Sequence, residues 1–192
     1  RIAGPWMLER LDFAAALPIL GSLPSLMSDY QRDRVFAMFD NDERTRQGIG
    51  FQQHMAETSL GSGGFFGKGL GNMPVGRNVP EGHNDMIFAL IGEQFGFIGS
   101  AVVIAAYVVL LAAGVEIAGS TREPFGRLVA VGIIVILATQ AFLNIAVSMK
   151  IFPVTGVTLP FVSYGGSSLI ASFMAAGLLL NIGQHRPLII AD

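Results

Sequence analysis

The sequence predicts an all-α integral membrane protein, with about four transmembrane helices and one large extracytoplasmic loop. Three observations carry that expectation. The 192 residues are 52% hydrophobic and only 14% charged, at a mean hydropathy of +0.56, whereas soluble domains carry about 25% charged residues. The charges are unevenly placed, and none falls in Gly96–Val115, Leu128–Met149 or Ile151–Gln184. About 20 apolar residues cross a ~30 Å hydrocarbon core, so each of those runs is long enough to span. Finally, the basic residues of the short connections all fall on one side if four spans are drawn.

The first span is assigned to residues 11–27. Its apolar part, Phe13–Met27, is short and holds Pro18 and Pro24, which suits a short kinked span or a re-entrant helix. Residues 28–85 form the large loop, opening with Asp29–Arg46, where dense charge of both signs makes Arg32 and Arg34 part of a solvated face. The second span is placed at 86–118, the third at 128–149 and the fourth at 161–184. Arg122 and Arg127 between the second and third spans, Arg186 after the last, and Arg1 and Arg10 before the first mark the cytoplasmic side. Residues 28–85 then face outward, and their own Lys and Arg do not oppose this, because long loops cross with little regard to charge.

Composition also excludes. A net charge of -2 without a basic block gives no footprint for nucleic acid. The absence of cysteine removes disulfides and thiolate metal sites. The chain starts at Arg1 with no n-region, h-region and cleavage-site pattern, and it reads as a piece of a longer protein.

The candidate chemistry lies where polar residues meet the second span, at Val79-Pro80-Glu81-Gly82-His83-Asn84-Asp85. A carboxylate at a water–hydrocarbon boundary is costly to desolvate. Asp85 there suits a general base, and its competing assignment is the N-cap of the apolar helix that follows. Glu81, His83 and Asp85 could share a divalent cation such as Mg²⁺ or Mn²⁺ within one turn, or Glu81 is solvated and His83 packs locally. Just before them runs Gly61-Ser62-Gly63-Gly64-Phe65-Phe66-Gly67-Lys68-Gly69, which lacks the Gly and Ser/Thr that a Walker loop needs at positions 62 and 69. Lys68 and Arg77 flank this turn and suit a pyrophosphate, or snorkelling at the membrane surface. Ser163-Tyr164-Gly165-Gly166-Ser167-Ser168 opens the last span, suiting an anion at a helix start or close packing of small residues. Glu93 is expected to face protein or a water-filled cavity rather than lipid. Gln140 and Asn144 are expected to make an interhelical hydrogen bond.

Together these motifs resemble one family. Gly61-Ser62-Gly63-Gly64-x-x-Gly67-Lys68-Gly69, Pro80-Glu81-x-His83-x-Asp85-x-Ile87-Phe88-Ala89, Gly92-Glu93-x-x-Gly96-x-x-Gly99 and Leu159-Pro160-Phe161-Val162-Ser163-Tyr164-Gly165-Gly166-Ser167-Ser168 are similar, in that order, to the SEDS (shape, elongation, division and sporulation) proteins, the RodA/FtsW type. Tyr30-Gln31-x-x-Arg34 resembles a further family segment. Where the family commonly reads Tyr-Gln-x-x-Gln-Ser the chain has Phe51, Gln52, Met55 and Ala56, keeping only the glutamine, and it has Lys150 where a small residue is usual. The resemblance implies the C-terminal part of a fold of about ten membrane helices. It implies a multi-pass protein of the bacterial cytoplasmic membrane, acting in elongation or division.

The implied activity is that of a peptidoglycan glycosyltransferase polymerising lipid II onto a growing glycan strand outside the membrane, with a class B penicillin-binding protein as partner. Asp85 matches the family's essential loop aspartate, and a divalent cation is an implied cofactor. The implied chemistry is an inverting transfer with one base and a lipid pyrophosphate leaving group, which Lys68, Arg77, a cation or the Ser163–Ser168 helix start would stabilise. Two readings of other classes remain open: a lipid-precursor flippase relying on Glu93, Gln140 and Asn144, and a non-catalytic scaffold indifferent to Asp85.

Overall fold

A computed structural model describes residues 50–79 and 82–184. The predicted first span, residues 28–49 of the predicted loop, Pro80, Glu81 and Arg186 lie outside the described residues.

Among the described residues five α-helices follow one another: α1 (Phe51–Ser62), α2 (Gly82–Asp85), α3 (Ile87–Ser120), α4 (Pro124–Ser148) and α5 (Gly166–Gln184), with a 3-10 turn at Gly76–Asn78 between the first two. α3, α4 and α5 are each long and apolar enough to cross a membrane. They run alternately, so the Asp85 end of α3, the C-terminus of α4 and the N-terminus of α5 share one end. The short α3–α4 connection with Arg122 lies at the other, in keeping with the charge asymmetry.

The predicted loop contains a helix that the sequence reading passes over. In α1 the buried residues are Gln53, Ala56 and Ser59, three apart on one face, and the Gly63-Gly64 pair ends it. Helix boundaries differ from the predicted spans by more than two residues in two places. α4 starts at Pro124, behind Glu123, four residues earlier than charge placement indicates. Proline's fixed φ suits the first helical position, and Arg127 is accommodated in the first turn. α5 starts at Gly166 rather than 161, because residues 161–165 are folded into a turn in which Val162 N and Ser163 N both donate to Leu159 O, at 3.3 and 3.0 Å.

α4 closes with Lys150 N donating to Val147 O at 3.0 Å and Ile151 N to Ala146 O at 2.8 Å, the paired bonds of a Schellman motif. Lys150 occupies its left-handed position at φ 58, where glycine is usual. Its ammonium lies 3.5 Å from Glu57 of α1.

Three apolar clusters hold the bundle. Near the Asp85 end, Ala56, Val79, Met86, Ala89 and Val147 join α1, the 75–79 segment, α3 and α4. Tyr107, Ala141 and Leu159 form the middle cluster, where the Tyr107 hydroxyl donates to Pro160 O. Ala118, Ala130 and Leu179 close the far end.

Candidate functional site

α2 is a single turn, and its carbonyls decide how it is held. The last carbonyls of a helix have no partner within it. Here His83 O accepts from Tyr164 N at 3.0 Å, Asn84 O from Ser163 Oγ at 2.7 Å, and Asp85 O from Asn144 Nδ2 at 2.8 Å. Three successive peptides are thereby tied to α4 and to the turn before α5. The His83 side chain stays exposed and Asp85 is half-buried. A Cβ placed on Gly156 would lie 3.5 Å from Asp85 Oδ2, so the carboxylate stands against the loop joining α4 to α5. The cap position of α3 is Met86; Asp85 closes α2 instead, one residue before the place the capping assignment gives it.

Ser163 and Asn144 are consumed in this anchoring. Ser163 is 5% exposed, and its Oγ also accepts from Leu159 N at 2.7 Å. Asn144 Nδ2 donates a second bond to Val157 O at 2.9 Å. The bond of Asn144 to Asp85 O joins α4 to α2 and is interhelical, as expected, while its second bond ties α4 to the loop that follows it. Tyr164 is 85% exposed, and Gly166 and Ser167 at the start of α5 are exposed as well. Gly165 N donates to Ser163 O at 2.9 Å, continuing the turn.

The Gly-rich loop is spliced into α3. At Gly96 the backbone leaves helical geometry, with φ 67 and ψ -161. In an unbroken helix Glu93 O and Gln94 O would accept from Phe97 N and Ile98 N. Instead they accept from Lys68 N and Gly69 N at 2.9 and 3.0 Å, while Phe97 N and Ile98 N donate to Gly64 O and Phe65 O at 2.9 and 3.3 Å. The approach is backbone to backbone: a Cβ on Gly67 would lie 2.1 Å from Gln94 O, and one on Gly96 2.3 Å from Gly67 N. From Phe97 to Ser120 the remaining helix is about 36 Å long, enough for one crossing.

Beneath the splice lies Glu93, fully buried. Its Oε1 accepts from Lys68 Nζ at 2.9 Å and Val75 N at 3.2 Å, its Oε2 from Ser59 Oγ at 2.8 Å and Gly76 N at 2.7 Å. Glu93 faces protein, as expected. The ammonium of Lys68 also donates to Ser62 Oγ at 2.7 Å, so it is engaged within the fold. Arg77 remains exposed, with Nη2 donating to Gly71 O at 3.4 Å. Of the other candidates, His83 and Asp85 share α2, and Glu81 lies outside the described residues. Among the described residues no three His, Asp or Glu side chains gather around one point.

An apolar groove of about 740 Å³ runs along α3 from the splice, lined by Leu60, Gly64, Phe88, Phe97, Ile104 and Met149 among others. It reaches Phe88, three residues after Asp85. Sequence reasoning missed Ser59, Gln53 and Gly156. Gln53 is buried and donates to Phe152 O at 2.7 Å, holding the turn after α4. The signal for the first two was the three-residue spacing of small and polar residues in α1.

Comparison with known proteins agrees with this architecture. The FtsW/RodA/SpoVE family model, described as "Cell cycle protein", matches residues 6–187. The chain belongs to this family. A probable peptidoglycan glycosyltransferase FtsW of Trichlorobacter lovleyi is 44% identical over 159 residues, covering 81% of this chain and 41% of that protein. The peptidoglycan glycosyltransferase MrdB of Escherichia coli is 39% identical over 178 residues, covering 92% of this chain and 47% of that one. A solved structure described as "Structural coordination of polymerization and crosslinking by a peptidoglycan synthase complex" superposes with a TM-score of 0.69 at 29% identity, covering 96% of this chain and 51% of its own. The chain thus spans about half the length of the relatives it matches. With family membership and three membrane-crossing helices together, it is a multi-pass membrane protein.

Proposed function

We propose that the protein containing this chain is a peptidoglycan glycosyltransferase, polymerising lipid II at the outer face of the cytoplasmic membrane with Asp85 as general base. The observation that carries the reading is the Asp85 turn, whose peptides are fixed by three hydrogen bonds while Asp85 itself is only half-buried. A base must be held, yet open to the proton it takes.

In the reaction the acceptor's 4-hydroxyl loses its proton to an Asp85 carboxylate oxygen as the hydroxyl oxygen attacks the donor's anomeric carbon. The bond from that carbon to the lipid pyrophosphate breaks, and the leaving group takes the electron pair. One attack inverts an α-linked donor to a β-glycosidic bond. A positioned base contributes about 10²–10⁴-fold. The pyrophosphate is already a good leaving group, so its need is charge stabilisation. Arg77 is the exposed cation on the loop, since Lys68 is engaged by Glu93. A carboxylate oxygen of Asp85 suits a hard cation such as Mg²⁺ or Mn²⁺, whereas His83, two residues away on the same helical turn, does not share that face. One carboxylate suits an ion keeping waters and substrate phosphates as its other ligands. Such an ion, when bound, neutralises charge on the pyrophosphate. The apolar groove along α3 has the character needed for a polyprenyl tail.

By analogy with the synthase complex that superposes on this chain, a class B penicillin-binding protein is the proposed partner, receiving the glycan strand for crosslinking. The carrier reading is weakened because the Glu93 carboxylate and the Asn144 amide nitrogen are engaged in anchoring loops, rather than lining a path.

The test is lipid II polymerisation by the intact protein with its partner in detergent, with and without Mg²⁺ or Mn²⁺. Asp85→Asn is expected to lower the rate by at least about 10²-fold while the protein remains monodisperse. Wild-type polymer yield from Asp85→Asn would remove Asp85 from the mechanism.

A further inference from the structure

Asn144 sits in the last turns of α4 and is 1% exposed. Its amide nitrogen joins two backbone segments far apart in sequence, bonding Asp85 O at 2.8 Å and Val157 O at 2.9 Å. Its Oδ1 is buried and, among the described residues, has no hydrogen-bond partner. A buried acceptor left unmade is costly, and a leucine of similar size would avoid that cost. The asparagine therefore contributes through its Nδ2. The amide has one workable orientation, since turning it over would set Oδ1 against two carbonyl oxygens.

We propose that Asn144 is a positioning residue for the transfer reaction, fixing the Asp85 peptide against the Val157 peptide and so setting the carboxylate against Gly156. The proposal rests on the reading of Asp85 as the base. Val157 is the neighbour of Gly156, whose added Cβ would lie 3.5 Å from Asp85 Oδ2. One carboxamide thus sets the register between the base and the loop facing it. Misplacement of a reacting group by about 1 Å can cost on the order of 10²-fold in rate.

The experiment measures lipid II polymerisation by the intact protein for Asn144→Leu, Asn144→Asp and Asn144→Gln, with Asp85→Asn in parallel, each normalised to monodisperse protein. Asn144→Leu keeps volume without donors, and Asn144→Asp keeps shape without the NH₂ group. Both are expected to lower kcat by about 10–100-fold with KM within about threefold, and to move the acid limb of the pH–kcat/KM profile, which reports the base. Asn144→Gln, which keeps the donor, is expected to recover part of kcat. Full kcat in Asn144→Leu beside an inactive Asp85→Asn overturns the positioning role alone. A loss that follows the folded fraction, with the pH limb unmoved and no recovery in Asn144→Gln, also overturns it. An active Asp85→Asn removes the base reading, and the proposal with it.

Discussion

Replacing Lys68 by methionine tests the buried carboxylate on which the Gly-rich loop is built. Glu93 is 0% exposed and Lys68 26%. The carboxylate holds four donors, two on each oxygen, at 2.7 to 3.2 Å. Without the ammonium, Oε1 keeps only the N–H of Val75, the longest of the four contacts. Breaking a buried ion pair from one side costs about 3–5 kcal/mol when the remaining charge is uncompensated. Here three donors remain and the ammonium is partly solvated, which brings the expected loss to about 2–3 kcal/mol.

Glu93→Gln is expected to cost about 2 kcal/mol, because one end of the amide then points N–H groups at a donor. The double variant is expected to lose less than the sum. With the ammonium gone, the amide can turn its NH₂ towards the Oε1 position, where it meets one donor, the Val75 N–H, instead of two, and keep its oxygen for Ser59 and Gly76. The coupling should be about 1.5–2 kcal/mol in a double-mutant cycle, read from SDS-induced unfolding of the protein in mixed micelles. Additivity within about 0.5 kcal/mol would refute the claim that this pair fastens the loop.

Gly67→Ala should open the splice, since its Cβ would lie 2.1 Å from Gln94 O at a φ of +78. The expected loss is about 3 kcal/mol or more, with faster hydrogen exchange at Phe97 and Ile98. Gly61→Ala, where an added Cβ meets nothing within 4 Å, should gain about 0.5–1 kcal/mol in its helix, and equal effects at the two sites would contradict the geometry. At Lys150 the order of stability in the same assay should be Gly above Lys above Ala. Glycine relieves a left-handed φ worth about 1–2 kcal/mol and gives up a surface pair with Glu57 worth about 0–1 kcal/mol, whereas alanine keeps the strain and loses the pair. Alanine above glycine would sink this account.

The three membrane helices were legible because lipid permits so few charges that uncharged runs of about 20 residues declare themselves. The interruption at Gly96 was not. Apolar residues continue on both sides of it, and what replaces the lost helical bonds is the backbone of residues 64–69, which hydropathy does not register. Asp85 and Glu93 stood out because carboxylates beside long apolar runs are rare, and the fate of Glu93 followed from that cost. Its partner did not: Lys68 suited a pyrophosphate equally well until tertiary structure brought it to 2.9 Å from Glu93. Ser163 drew attention as a helix-start residue, yet its hydroxyl serves the Asn84 carbonyl. Lys150 was visible as a departure from a small residue, and its left-handed φ is the physical reason a small residue is usual there.

The Asp85 turn is fastened from two directions by different chemistry. From the outer loop, Glu93 grips the N–H groups of Val75 and Gly76. That segment continues through Val79, which packs on Met86 and Ala89 and accepts from Gly82 N at 3.2 Å. From the membrane bundle, Asn144, Ser163 and the Tyr164 N–H grip the turn's carbonyls. Both grips act on main chain, and neither is made by the side chain of His83 or Asp85. Substitutions at Glu93 or Ser163 should therefore lower stability and rate together, while Asp85→Asn, which leaves both grips in place, should lower rate by far more than its change in stability accounts for. That separation is the expected signature of a group kept for chemistry on a frame built to hold it.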